Sequence, residues 1–83
     1  MHEAGIAERI LEAALGAAAD AHAVRVTAVE VEAGAEAWAS EEAVRLHWGL
    51  VTAGTAAEGA AFRFVPVDEP TALRLVAIDV DGP

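Results

Sequence analysis

Apolar residues near the start of the chain recur with a helical period. At about 100° per residue, Ile6, Ile10, Ala13 and Ala17 fall on one stripe, widened by Ala7, Ala14, Ala18 and Ala21. Glu8, Arg9, Glu12, Gly16 and Asp20 lie opposite. The pattern predicts an amphipathic helix from Glu3 to His22. From Val24 to Ala33 the period drops to two, with Val29, Val31 and Ala33 on one face and Glu30 and Glu32 on the other. Val24 and Val26 have the opposite parity, so a twist or bulge is expected near Thr27-Ala28. Gly34 ends that strand. Ser40 before Glu41 and Glu42 reads as an N-cap followed by acids at the positive end of a helix dipole. That second helix should reach Ala53 and stop at Gly54. Its expected apolar face is Ala43, Val44, Leu50 and Val51; Glu41, Glu42, Arg45, Gly49 and Thr52 should face solvent. Positions 54–60 read as a loop. Phe62 and Phe64 alternate with Arg63 in a strand over 61–67, which Pro66 pushes towards a sheet edge. A turn at 67–71 leads to a last strand over 73–80.

The order is αβαββ. It predicts an α+β fold with two helices packed on one face of a three-stranded mixed sheet. Its 83 residues suffice for a single domain spanning 1–83. Hydrophobic residues make up 55% of the chain but aromatics only 5%, because alanine dominates. At about 25 cal/mol per Å² of buried apolar area, such a core is a thin source of stability. Self-association is therefore an open expectation, as monomer or homodimer.

Charge narrows the partners. Net charge is −9, from 14 acidic and 5 basic residues, and the five arginines are scattered. Nucleic-acid binding needs a basic patch to displace counterions, and none is visible. There is no cysteine, which excludes disulfides, thiolate metal sites and a cysteine nucleophile. No apolar run approaches a membrane span, and the N-terminus lacks the pattern of a secretory signal. A cytoplasmic protein without membrane contact is the expectation. No Ser-His-Asp set, hydrolase motif or nucleotide fingerprint appears, so an enzyme is not expected.

The candidate chemistry lies at the first three residues. A free Met1 amine, the His2 amide nitrogen and the His2 imidazole form consecutive chelate rings, and Glu3 can add a backbone nitrogen or carboxylate. Nickel(II) and copper(II) favour such planar nitrogen and oxygen sets. Taken alone, a histidine at position 2 means little, since chain ends tolerate most residues.

The context gives it meaning. Met1-His2-Glu3 with Ile6-Ala7 and Ile10-Leu11-Glu12 resembles the start of the HypA/HybF nickel metallochaperones. Arg25-Val26-Thr27 and Val29 to Gly34 resemble that family's first strand, and Glu42 to Leu46 its second helix. Val51-Thr52-Ala53-Gly54-Thr55 with Ala57-Glu58-Gly59-Ala60 resembles the loop that follows. Val65-Pro66 and Leu73 to Val80 resemble its last two strands. The resemblance implies Ni(II) held by Met1, His2 and Glu3. It also implies a hydrogenase maturation GTPase and the [NiFe]-hydrogenase large subunit as partners. The family carries a zinc module of paired Cys-x-x-Cys motifs between the last two strands; here only the short stretch between 67 and 72 stands there. No structural zinc is expected, and the zinc module's roles do not carry over. The alternative is a non-delivering interaction or regulatory protein that keeps the HypA-like fold.

Other polar candidates read as structural. His47 falls in the second helix's apolar arc and is expected as a hydrogen-bonded core or pocket residue. His22 ends the first helix, about 30 Å from His2 along a continuous helix, so the two cannot share a metal. Trp38 and Trp48 are expected to cap the core, and Glu30 and Glu32 to form a solvent face.

Overall fold

In the computed structural model, residues 3–38 and 40–82 are described, with side chains described from Gly5 onward. The elements are α1 (Glu3–Asp20), β1 (Arg25–Ala33), α2 (Ala35–Trp38), α3 (Glu41–Thr52), β2 (Ala61–Pro66) and β3 (Leu73–Asp81). The sheet order is β2-β1-β3, with β1 parallel to β2 and antiparallel to β3. This is the expected α+β fold with a three-stranded mixed sheet. The added feature is α2, one helical turn between the end of β1 and Ser40. Its Trp38 ring stands 5.0 Å from Phe64, so burial of an aromatic ring draws the segment into the fold.

The central strand carries the parity change in its own burial. Val26 and Ala28 are buried, and so are Val29, Val31 and Ala33. Register shifts against β3 fall between Val26 and Ala28 and between Glu30 and Val31. The first lies where the pattern places a bulge. On the outer face, Arg63 sits 3.7 Å from Glu30 and 3.6 Å from Asp79, and Arg74 bonds Glu32 at 2.7 Å. Glu30 and Glu32 are thus members of exposed cross-strand ion pairs, each a modest contribution to stability.

Both long helices are rotated relative to the pattern. In α1 the buried stripe is Ile6, Ala7, Ile10, Ala14 and Ala18, whereas Ala13 and Ala17 are exposed. In α3 the buried residues are Val44, Trp48 and Thr52. Leu50, expected inside, is 64% exposed, and Thr52, expected outside, is 2% exposed. Trp48 decides this. Its indole donates to the Ala60 carbonyl at 3.0 Å and its ring stands 5.1 Å from Phe62. Centring the helix on so large a side chain brings Val44 and Thr52, one turn away on either side, beneath it. The Thr52 hydroxyl is satisfied by the Trp48 carbonyl at 2.7 Å, so its burial leaves no orphan hydroxyl.

The helix ends follow local chemistry, with one departure. α1 stops at Asp20, two residues earlier than the pattern predicts. His22 takes φ 54°, while the His22 N–H donates to Ala19 and the Ala23 N–H to Ala18. That is a Schellman ending, with a histidine in the left-handed position usually taken by glycine. Gly54 (φ 78°) follows α3 as expected. Ser40 stands at the N-cap of α3, but its side chain makes no capping bond. Its ψ of 12° lies outside the extended region that capping geometry needs, because Ser40 is still closing α2 through its N–H to the Ala37 carbonyl.

The β2–β3 connection is short and docked. The Val67 N–H donates to Ala33, Gly34 to Ala72, Glu36 to Pro70, and Ala72 to Glu69. Gly34 touches this turn so closely that an added Cβ would collide with the Glu69 carbonyl oxygen and lie 2.6 Å from the Pro70 carbonyl. Backbone, not a side chain, is what would have to move. Gly34→Ala should therefore destabilise the fold by about 1–3 kcal/mol, the usual cost of overpacking. Urea denaturation with fluorescence of the two tryptophans will read this as a lower midpoint.

Candidate metal centre

The proposed nickel ligands fall at the edge of what is described. Met1, His2 and the Glu3 side chain lie outside the described residues; the Glu3 backbone opens α1. A helix start has a chemical consequence. The first four N–H groups of an α-helix have no intrahelical acceptor. The Glu3 amide nitrogen is therefore not committed to the helical ladder, and a metal can claim it without breaking a helical bond. Ile6 and Ile10 are buried, which anchors the first turns of α1 against the body of the fold.

The remaining candidates do not converge. Among the described residues, no three His, Cys, Asp or Glu side chains lie together in a group able to hold a metal ion. His22 is exposed in the turn after α1, at the far end of an 18-residue helix. Such a helix is about 27 Å long, so His22 is remote from Glu3. His47 is half-buried on α3 and hydrogen-bonds to no described residue, contrary to the expectation of a bonded core histidine. The rotation of α3 about Trp48 leaves His47 at the margin of the core rather than in its middle. Helical periodicity could not show this, since it does not say which large side chain centres the buried face.

Seen against known families, the whole of this arrangement up to the start of β3 is accounted for. Residues 1–72 match the family model described as hydrogenase/urease nickel incorporation, metallochaperone, HypA. The chain belongs to the HypA family. No curated protein matches it closely enough to report. HypA proteins are nickel-binding metallochaperones rather than enzymes, and they work with partners in hydrogenase maturation. The match includes Met1, His2 and Glu3 and ends at Ala72, the residue before β3. No described helix is long and apolar enough to cross a membrane.

Because neither His22 nor His47 belongs to a metal-holding group among the described residues, replacing both should leave nickel binding intact. The double variant His22→Gln, His47→Gln is expected to keep the stoichiometry and affinity of the parent chain in calorimetric nickel titration. A lost equivalent would place a ligand on the body of the fold.

Proposed function

We propose that this HypA-family chain captures nickel(II) through the Met1 amine, the His2 amide and imidazole, and Glu3. It then passes the ion to a hydrogenase maturation GTPase and on to the [NiFe]-hydrogenase large subunit. Nickel is here the cargo, not a resident cofactor. The observation that carries the reading is the family match running through positions 1–3, on a chain whose described residues offer no rival cluster. The donor set fits the ion: nitrogen ligands on fused chelate rings suit planar Ni(II). Exchange suits the place as well. A chelate built on a chain end leaves faces open to an incoming ligand, so the new bond forms before the last old one breaks.

The proposal extends to architecture. We read the chain as one nickel-binding domain over 1–83, with the zinc module absent between 67 and 72. The docked turn over Gly34 supports this, because β2 connects to β3 there with its own hydrogen bonds and no inserted unit. The proposed setting is the cytoplasm, where maturation partners work.

Two measurements test the site. His2→Ala, or a single residue added before Met1, should abolish the planar Ni(II) absorption band and weaken binding by at least about tenfold, or 1.4 kcal/mol. Equal affinity for the native and extended chains would rule out the terminal amine as a ligand. The second test is pH. The amine and amide must release protons to coordinate. Apparent affinity should accordingly climb between about pH 6.5 and 8.5, the range in which ordinary α-amines titrate. A flat profile would point to carboxylate ligation instead.

A further inference from the structure

The two faces of the fold handle charge differently. On the open side of the sheet the acids are paired, Glu30 and Asp79 with Arg63, and Glu32 with Arg74. On the helical side, Glu8 and Glu12 of α1 and Glu42 of α3 are exposed, and among the described residues no cation pairs with their carboxylates. The same side carries Leu46 and Leu50, which are 65% and 64% exposed, more than any other large apolar side chain described. They stand one turn apart on α3. Leu11 and Leu15 of α1 are half-buried at the margin of the core. Their flank of α1 faces α3, because the opposite flank, with Arg9 and Ala13, lines the groove along β3. On α3 the Arg45 flank faces β2, where Arg45 donates to Phe62, so the flank with His47 and Leu50 turns towards α1. The four leucines thus border one seam between the two helices. Each acid lies three or four residues before a leucine, Glu8 before Leu11, Glu12 before Leu15 and Glu42 before Leu46, so an acidic rim surrounds an apolar centre.

We propose that this seam receives a basic amphipathic helix of a second protein. Apolar side chains three and four residues apart on that helix would seat among the leucines, and lysines or arginines on its flanks would meet Glu8, Glu12 and Glu42. Nickel plays no part in it. A helix suits the seam better than an extended segment. Away from their ends, α1 and α3 spend their backbone N–H and C=O groups on internal bonds, so the walls offer a strand nothing to pair with. Burial of the leucines supplies affinity, and the unpaired glutamates choose the sign of the partner. A second copy of this chain is unsuitable, because it would bring the same glutamates against these.

The test uses the full chain and three synthetic peptides about five turns long. One is a Leu/Lys amphipathic helix, one has Glu in place of Lys, and one has the Leu/Lys composition in an order that destroys the apolar face. By calorimetry the first should bind at least about tenfold more tightly than the other two. By NMR its amide shifts should centre on Leu11, Leu15, Leu46 and Leu50. Leu46→Asp with Leu50→Asp, both at exposed positions, should weaken it by about tenfold or more and leave the urea midpoint near that of the parent. Glu8→Gln with Glu12→Gln should weaken it too and flatten its salt dependence. Overturning results are equal binding of the disordered-pattern peptide, shifts centred on the open sheet face or the β3 edge, or parent affinity in both double variants. Self-association of the chain alone that Leu46→Asp with Leu50→Asp abolishes would also overturn it, by making a second copy the occupant.

Discussion

All four aromatic side chains of this protein form one row, and the rest of the fold is arranged around it. Trp38 stands 5.0 Å from Phe64, Phe64 5.1 Å from Phe62, and Phe62 5.1 Å from Trp48. The row ties α2, β2 and α3 together. In a core otherwise made largely of alanine and valine, these rings supply the large buried areas, and their tilted or edge-on contacts add about 0.5–1.5 kcal/mol each beyond burial. Arg45 closes the row from outside. Its guanidinium lies 5.8 Å from the Phe62 ring centre and 5.6 Å from that of Phe64, and it donates to the Phe62 carbonyl. The same residue pairs with Glu41 at 2.7 Å, so the start of α3 is held to β2.

The row leaves α1 a different task. Its contact surface is built of small residues: Ala7, Ala14 and Ala18 are buried alongside Ile6 and Ile10. Small side chains let the helix lie close over α3 and the sheet, which compensates for the little area each alanine buries. The outcome is positional. The buried Ile6 and Ile10 seat the helix that begins at Glu3, and Ile6 shares a groove with Leu73 at the start of β3.

The start of β3 is also where the β2–β3 turn docks. Gly34 admits the backbone of Glu69 and Pro70 at a distance that any side chain would prevent. The turn, the end of β1 and α2 are laced by four backbone hydrogen bonds. Their satisfaction means that the strands join without further support, as buried backbone groups require.

Much of this was legible in the chain itself. The order of elements, the bulge near Thr27-Ala28, the stop at Gly54 and the edge position of the strand ending in Pro66 all follow from local patterns: alternation, glycine conformation and the missing proline N–H. The family was legible too, because Met1-His2-Glu3 and the Val51 to Ala60 loop are motifs of contiguous residues. What the tertiary structure alone decided is rotation and proximity. The pattern of α3 put Leu50 inward and Thr52 outward, and the seating of Trp48 against Phe62 and Ala60 reversed the two. The helical turn at Ala35–Trp38 exists because Phe64 is there to receive Trp38. Gly34 reads as a strand end in sequence; its need for glycine arises from a turn 35 residues away. Local sequence sets what a segment can form, while the choice among its faces is made by the largest side chains it meets.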